Sequence, residues 1–312
     1  MLDADTAPGE FALIAGFFSN LDQGPSVALG NGDDAALLRL SADETVAVSV
    51  DSMVEGVHFP VDSPGHLVAY RAVAAAVSDL AAMGAHPLGM TLALSLPAVD
   101  QYWLRDCREG LREASADCGL PLVGGDLVRG ELSLTVQVIG AMPAALALRR
   151  SGAQVGDLVY VSGSLGDAAA GLALVQGRIS SSNAAAVDVL KARFWRPQPA
   201  LSLGVSLRGT ATSAIDVSDG LLADLAHIAS ASQVQITIDS QRIPLSDALR
   251  EVASPDQALD WALAGGDDYR LCFTVADTAA ALPAECVMIG RVEAGSGVVC
   301  DALSSRQGFT HF

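Results

Sequence analysis

Aspartate recurs along this 312-residue chain in short runs flanked by small residues. The runs are Gly32-Asp33-Asp34, Val50-Asp51-Ser52, Ser78-Asp79-Leu80, Gly124-Gly125-Asp126, Asp216-Val217-Ser218-Asp219-Gly220 and Gly265-Gly266-Asp267-Asp268. Carboxylates are hard oxygen donors, and small neighbours let a ligand approach the backbone closely. Together they suit Mg²⁺ held against phosphates. One such acid alone reads equally well as a turn or a helix cap. Six runs in one chain ask for a shared purpose. Acid usage points the same way, since 27 of the 36 acids are Asp, whereas a merely solubilising surface draws more on Glu carried by helices. Asp51, Asp126 and Asp216 each follow an apolar run, so they read as acids at strand ends. Asp216 and Asp219 stand three residues apart around a helix start. One is placed to bind metal while the other caps the helix or faces a second substrate. His58 follows the Asp51 run closely, and Arg149-Arg150 offers a guanidinium to a nucleotide phosphate.

Other chemistries are excluded. Lys191 is the only lysine, and no glycine loop precedes it. A P-loop needs Gly-Lys-Ser/Thr and a protein kinase needs a strand lysine, so a nucleotide handled here sits on an unrelated scaffold. The formal net charge of −18 argues against nucleic-acid binding, which needs basic patches, and fits a chain that recruits cations before anions. The five cysteines form no CxxC pair and suggest no disulfide framework, and the five histidines show no zinc spacing. Mean hydropathy is +0.38, yet no stretch of about 18 uncharged apolar residues exists. The start, Met1-Leu2-Asp3-Ala4-Asp5, is acidic, unlike a signal peptide. These features predict a cytoplasmic protein that neither crosses a membrane nor binds nucleic acid.

The elements that must position these acids alternate. A helix is expected over 10–21, with Phe11, Ile14, Phe18 and Leu21 on one stripe. A strand is expected over 45–51. Ser63 and Pro64 suit the start of a helix running towards Met83. Strands follow over 88–96, 120–123 and 132–142, with Asp100 capping a helix to about Cys118. The stretch 143–156 lacks a long periodic signal and divides the chain into domains of residues 1–142 and 143–312. In the second, strand 157–162 passes through Ser162-Gly163-Ser164-Leu165-Gly166-Asp167 into an Ala-rich helix. Such a turn points backbone N–H groups at anions. Strand 213–216 leads into helix 219–230, and strands over 234–239, 271–275 and 287–292 complete a sheet. The order predicts two α/β or α+β domains.

The ordered set resembles the thiamine-monophosphate kinases, within the aminoimidazole ribonucleotide synthetase-like superfamily. It comprises Gly32-Asp33-Asp34-Ala35-Ala36, Asp51 through Phe59, Val77 through Ala85, Gly124-Gly125-Asp126, Arg150-Ser151-Gly152-Ala153, Asp216 through Leu221, Gly265 through Tyr269, and Gly308-Phe309-Thr310-His311-Phe312. The resemblance spans essentially the whole chain. It implies a two-domain fold, with an N-terminal mixed-sheet domain that binds ATP and Mg²⁺ and pairs in a homodimer, and a C-terminal α/β domain. It implies phosphoryl transfer from ATP to thiamine monophosphate, giving thiamine diphosphate and ADP. By motif position, several Mg²⁺ ions fall to Asp33, Asp34, Asp51, Asp79, Asp126, Asp216 and Asp219. ATP falls to Gly125, Asp126, Arg150 and Ser218, and the thiamine substrate to His58, Asp267 and Phe309. Three positions depart from the family pattern. Val50 stands where Ser or Thr is common, and Asp267 and Arg270 replace the two glutamates of Gly-Gly-Glu-Asp-Tyr-Glu. Another ATP-using member of the superfamily is the alternative enzyme, and a non-catalytic metal-binding protein the alternative of another class.

Overall fold

The computed structural model describes residues 9–278 and 282–302. The described residues form two compact units. One holds the residues up to Leu80 together with His86–Ala144, and the other holds Ala81–Ala85 together with the residues from Ala145 on.

The first unit contains, in chain order, α1 (Glu10–Phe17), β1 (Val27–Leu29), β2 (Leu37–Leu38), β3 (Glu44–Val54), the body of α2 (Gly65–Ala82), β4 (His86–Leu96), α3 (Gln101–Cys118), β5 (Leu122–Arg129) and β6 (Ser133–Pro143). Its main sheet runs β3–β6–β4–β5, with β4 and β5 parallel and the other pairs antiparallel. Asp100 caps α3 as expected, accepting the N–H groups of Tyr102 and Trp103, and Gly119 ends that helix with φ 64°. The Ser63 hydroxyl instead donates to the Pro60 carbonyl, and α2 begins two residues later. Residues Val68–Val77 of α2 are all 5 % exposed or less, because alanine and valine let the helix press close to its neighbours. The sheet is two-faced, as period-2 alternation requires. Met53, Leu92, Leu94, Leu134 and Val136 are buried, whereas Val46, Val48, Val50 and Val128 are exposed on the other side.

Two acids expected at strand ends lie inside strands, and a third lies on the helix expected to run towards Met83. Asp51 is in mid-β3 opposite Val136, Asp79 is on α2, and Gly124-Gly125-Asp126 is inside β5. Strand signals near Gly pairs read as turns in sequence. Here Gly125 serves a close parallel approach instead, since a Cβ on it would lie 2.0 Å from the Leu92 carbonyl oxygen.

The second unit contains β7 (Leu158–Ser162), α4 (Asp167–Val175), α5 (Ala184–Trp195), α6 (Leu201–Ser206), β8 (Ala211–Asp216), α7 (Leu221–Ser232), β9 (Gln235–Ile238), α8 (Asp247–Val252), α9 (Pro255–Ala264), β10 (Leu271–Val275), β11 (Cys286–Glu293) and β12 (Gly297–Cys300). The sheet order is β12–β9–β11–β7–β10–β8. Ile215, Cys272, Val159 and Val161 pack on one face with Leu221, Leu225 and Ile228 of α7. Ala214, Leu271, Phe273 and Val275 pack on the other with Leu148, Leu203 and Leu207. Because β7 and β8 both run antiparallel to β10, the loops leaving β7 and β8 and the loop entering β10 meet at one end of the sheet. No described helix is long and apolar enough to cross a membrane.

Candidate functional site

In the first unit, four expected residues line one cavity of about 500 Å³. Asn31–Ala36, with Asp33 and Asp34, form one wall, and Gly124, Gly125 and Asp126 another. Leu92, Leu94, Leu122 and Phe18 add apolar lining. The acidic loop is fixed from outside. Asp22 accepts the Asn31 N–H at 2.9 Å, and the Asn31 amide donates to the Leu122 carbonyl at 3.0 Å. Within the loop, Asp33 accepts the Asp34 N–H at 2.8 Å.

Asp51 and Asp79 belong to another surface of the same unit. The Ser49 hydroxyl donates to Asp79, and Asp51, two residues on, shares the Ser49 face of β3. The row Ser52–Thr135–Ala93–Asp126 crosses the sheet in register. Asp126 therefore shares the face of Ser52, opposite to that of Asp51, three strand spacings or on the order of 14 Å away. The fold of this unit thus parts two acids that the sequence grouped. His58 is half-buried, and its Nδ1 accepts the Val54 N–H at 3.0 Å, which places the proton of the neutral ring on Nε2.

In the second unit, Asp216 ends β8 as expected, and Ser218 and Asp219 occupy the turn into α7. The Gly265–Arg270 segment clamps that turn through the backbone. Asp267 and Tyr269 donate their N–H groups to the carbonyls of Ser218 and Val217, and Val217 donates to Arg270, all at 2.8 Å. Gly266, Asp267 and Tyr269 all have left-handed backbone, with φ 68°, 63° and 49°. The last two are the strained conformations that concentrate at functional loops. The Tyr269 hydroxyl donates to Asp267 at 3.1 Å. Arg150 is exposed, and its backbone carbonyl accepts from Ser232 near the end of α7. Phe309 lies outside the described residues.

Two carboxylates that sequence reasoning passed over organise these turns. One oxygen of Asp224, on the first turn of α7, accepts the N–H groups of Ser218, Asp219 and Gly220 at 3.0, 3.1 and 3.2 Å. Neither Asp216 nor Asp219 therefore caps α7; Asp224 takes that role from inside the helix. Asp268 accepts the N–H groups of Gly166 and Ala168 at 2.7 and 3.3 Å. The glycine turn after β7 thus spends these donors on a protein carboxylate rather than on a bound anion. Burial pushes both carboxyls up to about 7. At Asp224 the charges of Asp216 and Asp219 add to burial, and at Asp268 that of Asp167 does, against the opposing N–H bonds. The only sequence signal was spacing: an acid four residues beyond Gly220, and a doubled Asp after Gly-Gly.

Among the described residues, no three carboxylate, imidazole or thiol groups form a metal cage. The acids are spread in small groups: Asp33 and Asp34 with Asp126 across one cavity, Asp51 near Asp79, and Asp216 near Asp219. That donor set fits Mg²⁺, which keeps waters and shares itself between one or two carboxylates and substrate phosphates.

Known proteins match along the chain. The AIR synthase related protein N-terminal domain matches residues 32–142, and the corresponding C-terminal domain matches residues 154–301. A thiamine-monophosphate kinase of Escherichia coli is 48 % identical over 270 residues, covering 86 % of this chain and 83 % of that protein. The chain belongs to the thiamine-monophosphate kinase family. The crystal structure of the thiamine-monophosphate kinase from Stenotrophomonas maltophilia superposes with TM-score 0.83 at 43 % identity, over 90 % of this chain and 93 % of that one. AaThiL complexed with AMPPCP and TMP superposes with TM-score 0.80 at 30 % identity, over 99 % and 100 %. The two-domain AIR synthase-like fold expected from the motifs is the fold observed. This chain carries it with its only lysine, Lys191, on α5, and so without a P-loop or a strand lysine.

Proposed function

We propose that the protein is a thiamine-monophosphate kinase, moving the γ-phosphoryl group of ATP directly onto the phosphate of thiamine monophosphate to give thiamine diphosphate and ADP. Family membership at high identity over most of the chain carries this reading. The complex of a family structure with an ATP analogue and TMP supports the substrate pair. The acceptor oxygen is already deprotonated near neutral pH, so no residue need act as a base. Two anions must nevertheless meet, and Mg²⁺, when bound, supplies the charge neutralisation and alignment that dominate phosphoryl transfer. Because Asp224 and Asp268 consume backbone donors of their turns, those N–H groups do not serve the phosphates, which places more of that work on cations.

Residue roles follow. Asp33, Asp34, Asp51, Asp79, Asp126, Asp216 and Asp219 hold several Mg²⁺ ions. Gly125, Asp126, Arg150 and Ser218 contact ATP, while His58, Asp267 and Phe309 contact the thiamine substrate. Residues 1–142 form the ATP, Mg²⁺ and dimerisation domain and 143–312 the C-terminal domain, in a cytoplasmic enzyme. The homodimer is supported by the exposed Val46, Val48, Val50 and Val128 on the open sheet face, an apolar patch that a second copy would cover.

The direct test incubates the protein with ATP, Mg²⁺ and thiamine monophosphate and follows thiamine diphosphate by chromatography. Folded protein that binds ATP yet forms no product refutes the activity. Light scattering that finds only monomer at micromolar concentration refutes the dimer.

A further inference from the structure

The turn between β8 and α7 has an internal support that neither binds substrate nor belongs to the metal set. We propose that Asp224 is a positioning residue that sets the metal affinity of Asp216 and Asp219. The inference rests on the Mg²⁺ reading above.

Ser218, Asp219 and Gly220 present three successive N–H groups at the head of a helix, the arrangement that ordinarily receives an external anion. Here one carboxylate oxygen, reaching back from the first turn of α7, takes all three. Asp224 is 2 % exposed, and Leu221, Leu225 and Ile228 beside it on α7 are fully buried. Its oxygen is therefore as fixed as the core. Three bonds to consecutive residues define the path of the turn, and with it where the Cα–Cβ bond of Asp219 points. Asp216 is coupled through the same short loop. From the other side, a Cβ on Gly266 would sit 2.6 Å from the Ser218 carbonyl oxygen, so the loop cannot relax towards the Gly265–Arg270 segment. The turn is held between a carboxylate and a backbone, with no slack in either direction. A carboxylate pair that shares an ion with phosphates gains affinity only if its geometry is set before the ion arrives.

Charge alone offers another account, because Asp224 is a third negative group near the pair. Two neutral substitutions separate the accounts. Asp224→Asn keeps a side-chain oxygen able to accept the same N–H groups, whereas Asp224→Ala keeps none. Both remove the charge, so any difference between them reports positioning. Leu225→Ala serves as the control for simple destabilisation of α7, since Leu225 is buried in the core beside Asp224 but its side chain has no acceptor to offer the turn.

The probe is Mn²⁺, whose free concentration is read by electron paramagnetic resonance in titrations of the full-length protein without nucleotide. Asp224→Ala is expected to weaken Mn²⁺ binding about ten-fold or more relative to wild type. Asp224→Asn is expected to recover at least five-fold of that loss, and Leu225→Ala to stay within two-fold of wild type. Equal affinities for the Ala and Asn variants overturn the proposal, as does a comparable loss in Leu225→Ala. If Asp224→Ala does not fold, Asp224→Glu replaces it. Glu moves the acceptor by one methylene and is expected to cost at least three-fold, and wild-type affinity there overturns the proposal. Wild-type protein that binds no Mn²⁺ would instead remove the metal reading itself, together with the proposal. A folded enzyme with normal metal affinity but no thiamine diphosphate product would remove the named activity and leave the role of Asp224 standing.

Discussion

Asp268→Asn should flatten the pH dependence of folding stability. Burial holds the Asp268 carboxyl at about 7 against an ordinary 3.8. The folded chain therefore keeps a proton that the unfolded chain loses, and stability falls as pH rises from about 4 to about 7, then levels off. Each pH unit in that window is worth about 1.4 kcal/mol per group, so Asp268 accounts for roughly 4 kcal/mol in all. Asp224, also held at about 7, adds a slope of the same sign. Wild type should lose about 3 kcal/mol between pH 5 and 6, and the variant about half of that. Asn cannot titrate, and its single oxygen leaves one of the Gly166 and Ala168 N–H groups unpaired, at a cost of about 1–3 kcal/mol that does not vary with pH. Guanidinium denaturation at pH 5, 6, 7 and 8 gives both quantities, the slope and the offset. Exposed carboxylates and histidines cancel in the difference between the two proteins. A variant with the wild-type slope would refute the reasoning, because it would mean that Asp268 is ionised throughout the range.

Other outcomes can be checked separately. Asp126→Asn should leave the melting temperature within about 2 °C and remove most kinase activity, restored in part by raised Mg²⁺; full activity at ordinary Mg²⁺ would count against its metal role. His58→Ala and Phe309→Ala should raise KM for thiamine monophosphate more than KM for ATP, and equal effects on both would disprove the assignment. Gly125→Ala should destabilise the first unit by several kcal/mol in denaturant melts, because its Cβ would meet the Leu92 carbonyl. Burial pushes the Cys107 and Cys118 thiols up to about 12, so a disulfide reagent at pH 8 should modify them only in denaturant.

Much of this protein is written locally. Asp100 and Gly119 mark the two ends of α3, and Leu271–Val275 reads as a strand from its residues alone, because caps and apolar runs act over a few positions. The acidic motifs identify the family because their types and order are properties of the chain itself. Sequence could not say that Gly124-Gly125-Asp126 runs inside a strand, since that depends on how closely β4 and β5 approach. Nor could it place Asp51 and Asp126 on opposite faces of one sheet, which follows from register. β12 escaped notice because its four residues become a strand only beside β9. Asp224 and Asp268 looked like ordinary helix and turn acids. Tertiary structure alone brings their oxygens to the donors of two glycine turns, and burial then changes their acidity, an effect no neighbour in sequence can supply.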